Sequence, residues 1–321
     1  MKILIIPGLT LPNVSDDDLA RIKAVAGHNA QVVVSPQREA IEHVHDAQVI
    51  FGFVPKTLFD AAPELRWVHA IASGVDAFLY SDFVESNVLL TSEKGLVGEH
   101  LADHAFGLLL MLTRQLAAAL RYGSDSWNHR PEMRFQEIEL TGRTMGIVGL
   151  GGTGRAMVKR AAAFGMDCLA VDRDAVPGSP WVKQVWLMNR FEELLRSSDV
   201  VSICCPLTAE TEALFDASAF SAMRDTAILV NVTRGEVMQE EALVKALESK
   251  QIAGAALDVV PREPLPVDSP LWSMPNVVMS PHTAGASQFR AERNMNRFIS
   301  NLERMIKDEP LEGLIDKTLG Y

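Results

Sequence analysis

The segment Thr144-Met145-Gly146-Ile147-Val148-Gly149-Leu150-Gly151-Gly152-Thr153-Gly154 constrains the fold more than any other part of the 321-residue chain. It reads as an apolar strand running into G-x-G-x-x-G, followed by a helical pattern over residues 155–164. Each glycine answers a steric demand. Gly149 permits a tight turn, Gly151 lets the backbone approach a pyrophosphate, and Gly154 lets helix and strand pack closely. The helix start adds unpaired N–H groups and a positive dipole end, which suit phosphate. A second strand ends at Asp172, 18 positions after Gly154, where a carboxylate accepts hydrogen bonds from ribose hydroxyls. A glycine-rich turn alone is a weak sign. Strand, helix and acid together predict a dinucleotide site.

Asp172 would repel a 2′-phosphate, so NAD is the expected cofactor and NADP the alternative. Arg173 leaves three readings open: stacking on adenine, gripping such a phosphate, or a solvated surface charge.

Short β-rich runs alternate with helical stretches along almost the whole chain, which predicts parallel sheets with crossover helices. No short repeat or low-complexity segment interrupts them. A long helix is expected from near residue 99 to about 122, followed by a polar, loop-like stretch over 123–134. A new α/β series then starts at Thr144 and lasts to about Met279. The last helix, over about 288–307, places Phe298, Ile299, Leu302, Met305 and Ile306 on one apolar stripe that must dock on something.

Composition narrows the partners. Thirty basic residues against 41 acidic give a net charge of −11, which argues against a general nucleic-acid or anionic-membrane binder. Only three cysteines occur, Cys168, Cys204 and Cys205, without metal-ligand spacing; they read as small buried hydrophobes in a reducing, cytoplasmic compartment. The start of the chain has no basic n-region or long h-region, so no signal peptide is expected. The longest uncharged apolar stretch, residues 105–112, is far below the ~20 residues needed to span a bilayer. His43, His45, His100 and His104 lack further ligands around them, so no metal site is expected.

Downstream of the glycine loop, polar residues recur at strand ends, where open α/β sheets place their ligands. Asn231-Val232-Thr233-Arg234-Gly235, the run from Asp258 to Pro266, and Ser280-Pro281-His282-Thr283 each follow a predicted strand. Read singly, Arg234 is a surface charge, Glu263 a loop acid and His282 a turn histidine. Three such ends in succession after a dinucleotide loop point to chemistry instead.

With these motifs, and with Cys205-Pro206-Leu207-Thr208 and Thr211, the chain resembles the D-isomer-specific 2-hydroxyacid dehydrogenases over nearly its whole length. The resemblance implies an α/β fold of two Rossmann-like or flavodoxin-like doubly wound parallel-sheet domains, with the active site in the cleft between them. The substrate domain would be discontinuous, residues 1–101 plus 288–321, and the NAD(P)-binding domain would span 102–287. Arg234, Glu263 and His282 would form the catalytic triad, and Asp258 would hold the nicotinamide carboxamide. Further cofactor contacts would come from Gly152, Thr153, Cys205, Pro206, Thr211, Val232 and Thr233, beside Gly149, Gly151, Gly154, Asp172 and Arg173. Ser73, Gly74 and Val75 match the family's substrate loop, whose amides bind a carboxylate opposite the arginine.

The residue types agree with that chemistry. Imidazole is a general acid near neutrality, a carboxylate beside it fixes which ring nitrogen faces substrate, and guanidinium binds a carboxylate without titrating. Phe53, Val54 and Tyr80 are plausible pocket lining, though core packing suits the first two better. Asp103 stands where the family usually has Glu. Glu263, where formate dehydrogenases carry Gln, and Ser73, where phosphite dehydrogenases carry Lys, argue against those branches. A glyoxylate/hydroxypyruvate reductase-like enzyme is expected, acting on a small anionic 2-oxo or 2-hydroxy acid as a cytoplasmic homodimer. The competing expectation is a non-enzymatic NAD(H)-sensing corepressor on the same fold.

Overall fold

Strands too short to be stable alone are stacked side by side in parallel, where their apolar runs are covered on both faces. The computed structural model describes residues 1–321. In chain order the first elements are β1 (Lys2–Ile5), α1 (Asp16–Ala26), β2 (Gln31–Val34), β3 (Val49–Phe51), α2 (Lys56–Asp60), β4 (Trp67–His69), α3 (Ser81–Glu85) and β5 (Leu89–Thr91). The five strands form one parallel sheet in the order β2-β1-β3-β4-β5. The helix α1 begins at a reciprocal cap. Ser15 Oγ accepts from the Asp18 amide at 3.1 Å, while the Asp18 carboxylate accepts from the Ser15 amide at 3.1 Å.

The second series comprises α4 (Gly98–Thr113), α5 (Leu116–Tyr122), α6 (Arg130–Gln136), β6 (Thr144–Val148), α7 (Gly152–Ala163), β7 (Asp167–Asp172), β8 (Val182–Leu187), α8 (Phe191–Ser197), β9 (Val200–Ile203), α9 (Ala217–Ala222), β10 (Ile228–Asn231), α10 (Glu240–Glu248), β11 (Gly254–Leu257) and β12 (Val277–Met279). Its seven strands are all parallel, in the order β12-β11-β10-β9-β6-β7-β8. The chain runs outward one way from β6 to β8, then returns to pair β9 on the other side of β6. The switch point between β6 and β9 is where such sheets open a crevice at their carboxyl ends.

The last helix, α11 (Arg290–Ile306), belongs to the first sheet. Its buried Met295, Phe298 and Leu302 join Ile3, Ile5, Val49, Phe51 and Trp67 in one core. Phe298 stacks on Phe51 at 4.4 Å and on Trp67 at 5.2 Å between ring centroids. The opposite face of the same sheet buries Leu4, Ile6, Ile50, Val68 and Leu90, the period-2 complement of the first set.

By its internal contacts the chain divides into two units, Met1–Val97 with Ala286–Tyr321, and Gly98–Gly285. The expected border at 101/102 falls inside α4, whose first turn packs within the second unit: a Cβ on Gly98 would lie 2.6 Å from the Gly152 carbonyl oxygen. The border expected at 287/288 falls two residues beyond the last residue of that unit, Gly285.

Two expectations about the segment after residue 98 need correction. The helix anticipated from 99 to 122 is two helices, because Gln115 takes a left-handed φ of 53° between them. The stretch anticipated as loop from 123 to 134 contains a 3-10 turn and most of α6. No helix is long and apolar enough to cross a membrane.

Candidate active site

Strand β6 delivers its chain directly into the glycine turn. Gly149 has φ 94°, and a Cβ there would strike the Cys205 amide nitrogen at 2.7 Å, so only glycine fits where the β6 and β9 ends meet. Gly154 is tighter still, since a Cβ would come within 2.1 Å of the Gly149 carbonyl oxygen. Gly151 behaves differently. Nothing lies within 4 Å of where its Cβ would stand, and no side chain caps the helix α7 that begins beside it. An open face in front of uncapped first-turn amides, Gly152 and Thr153 among them, fits a pyrophosphate.

Asp172, at the end of β7, holds this turn in place. Its Oδ2 accepts from the Leu150 amide at 2.7 Å and its Oδ1 from the Asp174 amide at 3.1 Å. Arg173 pairs with Asp174 at 2.9 Å. After β9, Cys205 and Pro206 lead into a loop stapled by Thr211, whose hydroxyl accepts from the Thr208 amide at 2.8 Å and donates to the Pro206 carbonyl at 2.7 Å. Burial pushes the Cys204 and Cys205 thiols up to about 12 and that of Cys168 up to about 11, so all three are structural rather than nucleophilic. No cluster of three or more His, Cys, Asp or Glu is arranged to hold a metal ion.

The Arg234 turn is shaped by a residue that spacing did not single out. Asn231, fully buried at the end of β10, accepts from the Thr233 amide at 3.0 Å and hydroxyl at 3.1 Å, and donates to the Arg234 carbonyl at 2.8 Å. Arg234 itself donates to the Thr233 carbonyl at 3.0 Å, and Val232 is buried. The next residue locks this turn to its neighbour. A Cβ on Gly235 would lie 1.9 Å from the Val260 carbonyl carbon, so the Arg234 turn sits directly on the loop that carries Glu263.

Glu263 and His282 meet across strand ends. Glu263 Oε2 lies 2.7 Å from His282 Nδ1, and its Oε1 accepts from the Val260 amide at 3.2 Å. A carboxylate only accepts, so Nδ1 carries the proton and Nε2 is the nitrogen left for a reacting partner. Both side chains are open to solvent, at 46% for His282 and 37% for Glu263. His282 has φ 52°, a left-handed conformation that a non-glycine residue holds only where its surroundings impose it. The imposing group is Asp258. Its carbonyl accepts from the His282 amide at 2.8 Å, and its buried carboxylate accepts from the Thr283 amide at 2.9 Å, the Ala284 amide at 2.8 Å and the Ser280 hydroxyl at 2.6 Å.

In the first unit, the loop after β4 carries Ser73, Gly74 and Val75. The Val75 side chain is buried in the core, so that residue can offer a ligand only its backbone. Phe53 packs edge-to-face on Phe78 at 5.2 Å, Val54 is buried, and the Tyr80 hydroxyl donates to the Val54 carbonyl at 3.3 Å. Asp103 lies on α4 and pairs with Arg160 of α7 at 2.7 Å, a tie between helices within the second unit.

A parallel sheet with this turn at its switch point, and a carboxylate-held imidazole at a nearby strand end, is the arrangement of a dinucleotide-dependent oxidoreductase. Known proteins agree. Residues 106–284 match the family described as D-isomer specific 2-hydroxyacid dehydrogenase, NAD binding domain. The chain is 36% identical over 289 residues to a glyoxylate reductase of Korarchaeum cryptofilum, covering 86% of this chain and 85% of that one. It is 29% identical over 320 residues to a hydroxypyruvate reductase of Blautia hydrogenotrophica, covering 97% and 98%. A solved D-isomer specific 2-hydroxyacid dehydrogenase from Xanthobacter autotrophicus Py2, in complex with NADPH and MES, superposes with a TM-score of 0.82 at 26% identity and covers 99% of both chains. The chain belongs to the D-isomer specific 2-hydroxyacid dehydrogenase family and is an NAD(P)-dependent oxidoreductase.

Proposed function

We propose that this enzyme interconverts a small 2-oxo acid of the glyoxylate or hydroxypyruvate kind and the corresponding 2-hydroxy acid, of D configuration where C2 is a stereocentre. The observation that carries the reading is the 2.7 Å contact between Glu263 and His282 Nδ1, which leaves Nε2 to serve substrate. When bound, the dinucleotide supplies or takes up the hydride, which no side chain can do. In reduction His282 gives its Nε2 proton to the carbonyl oxygen; in oxidation the same nitrogen removes it. Glu263 holds the ring in one orientation. Arg234 binds the substrate carboxylate and polarises the carbonyl.

Gly149, Gly151, Gly152, Thr153 and Gly154 would cradle the pyrophosphate, with Cys205, Pro206, Thr211, Val232 and Thr233 along the cofactor. Asp258 would hold the nicotinamide carboxamide. Asp172 supports a preference for NAD over NADP, and Arg173, paired with Asp174, is the residue on which that preference would turn.

The test is loss of NADH or NADPH absorbance with glyoxylate, hydroxypyruvate, pyruvate, phenylpyruvate and branched 2-oxo acids. Turnover greatest with the first two supports the proposal. Tight NADH binding without turnover of any of them would replace it with the corepressor-like sensor.

The proposed assembly is a cytoplasmic homodimer formed through the cofactor unit. Leu116, Leu120, Trp127 and Phe135 project into solvent from α5, α6 and the turn between them, and Phe135 is 91% exposed. An apolar face of that kind suits a subunit contact. Light scattering of the purified protein is expected to give twice the chain mass, and a monomer at micromolar concentration would reject the contact.

A further inference from the structure

The Asp258 cluster extends beyond the turn that it holds. Ser280 Oγ, 2.6 Å from Asp258 Oδ1, also lies 2.7 Å from Nε2 of His104, on α4. Asp258 is fully out of solvent and His104 is partly so. The proton directions in this chain are forced. A carboxylate accepts only, so the Ser280 hydroxyl donates its one proton to Asp258 and must accept from the ring, which therefore carries its proton on Nε2. That order excludes a nucleophilic role for Ser280, since an activated serine would donate to the histidine.

The chain ends on the candidate acid. Asp258 Oδ1 takes both Ser280 Oγ and the Thr283 amide, Oδ2 takes the Ala284 amide, and the Asp258 carbonyl takes the amide of left-handed His282. If Oδ1 rotates, the donors on both sides of His282 lose their acceptor. Ser280 fixes that rotation, and His104 fixes Ser280.

We propose that His104 is a positioning residue for the reaction: through Ser280 it pins the Asp258 carboxylate that holds His282 in register with Glu263. This inference rests on the reading of His282 as the acid and base. It assigns to α4, outside every strand-end motif, a share in setting the angle at which the imidazole is presented.

The experiment compares His104→Phe, which removes the donor, with His104→Gln, which keeps an N–H at similar reach. Steady-state kinetics with NADH and glyoxylate are measured on the full-length enzyme, together with hydrogen–deuterium exchange of the free protein. His104→Phe is expected to lower kcat at least about tenfold while KM for glyoxylate stays within about threefold. Exchange at the Thr283 and Ala284 amides should accelerate at least about tenfold, and His104→Gln should restore most of both. Wild-type kcat and exchange in His104→Phe, or a glutamine variant as impaired as phenylalanine, would overturn the proposal. Should His104→Phe fail to fold, Ser280→Ala with rescue by Ser280→Thr reads the same two outcomes. Exchange needs neither substrate nor cofactor. If the wild type reduces no 2-oxo acid yet His104→Phe loosens these amides, the substrate reading fails and the positioning of the turn stands.

Discussion

His282 is held at two of its atoms by different groups: its ring by Glu263 and its amide by the Asp258 carbonyl. If His282 is the acid and base proposed above, the ring contact governs proton transfer and the backbone contact governs where the ring stands. Removing the ring alone separates these. In His282→Ala the turn keeps its Asp258 bonds, so NADH affinity by fluorescence titration should stay within about threefold of wild type while kcat falls about 10²- to 10⁴-fold, the usual share of a general acid. Near-wild-type turnover would remove His282 from the mechanism. Arg234, Glu263 and His282 stood out as candidates in sequence because each follows a strand run at the edge where such sheets bind ligands. Asn231, Ser280 and His104 did not. Their roles depend on partners 3, 22 and 176 positions away, and a polar residue at a strand end carries no mark of what it will meet in space.

At the scale of elements, two glycines of similar appearance in sequence have opposite surroundings. Gly235 is pressed against the Val260 carbonyl carbon, 1.9 Å from its would-be Cβ, whereas Gly151 faces open space. Gly235→Ala must push the Arg234 turn off the Glu263 loop, costing about 1–3 kcal/mol by overpacking. It should lower both the urea midpoint and kcat/KM. Gly151→Ala should cost at most about 1 kcal/mol, the penalty for alanine at a helix N-cap. It should nevertheless weaken NADH binding if, as proposed, its methyl enters the face that takes the pyrophosphate. Equal losses of stability in the two variants would contradict the assignment of that face.

Element boundaries were legible where apolar runs are long and bounded, as in β6 and β10. The pattern is weaker at β5, only three residues long, and at β8, an edge strand whose Lys183 and Gln184 face solvent. The break between α4 and α5 was hidden for another reason: Gln115 turns left-handed without a glycine or proline to announce it.

Across the whole molecule, two sheets with separate cores should respond differently to acid, because the first buries His69 at the centre of its packing. The alternation of strands and helices made both sheets readable, but the apolar stripe of α11 fitted either core equally. Its destination is set by aromatic shape, with Phe298 lying between Phe51 and Trp67, and by Asn294, whose Oδ1 is 2.8 Å from His69 Nε2. On its other side His69 Nδ1 meets the Thr91 hydroxyl at 2.6 Å, which also accepts from the Trp67 indole at 2.8 Å. Burial, opposed in part by the Asn294 bond, lowers the His69 pKa from 6.5 to about 3. The unfolded chain therefore binds a proton between these values that the folded chain refuses, and stability falls as pH drops through 6.5 toward 3. From pH 7 to pH 5 the loss from this one group is about 2 kcal/mol. Buried Glu93, whose carboxyl is pushed up by desolvation despite its pair with Arg290, acts in the opposite sense above its ordinary range. A comparison of variants cancels that contribution. Urea unfolding of wild type and His69→Gln at both pH values, followed by amide exchange within β1, β3 and β4, should show the acid-induced loss in wild type and its reduction by about 2 kcal/mol in the variant. Parallel pH slopes for the two proteins would show that the ring is protonated in the folded state, and that the first core is not what limits the enzyme in acid.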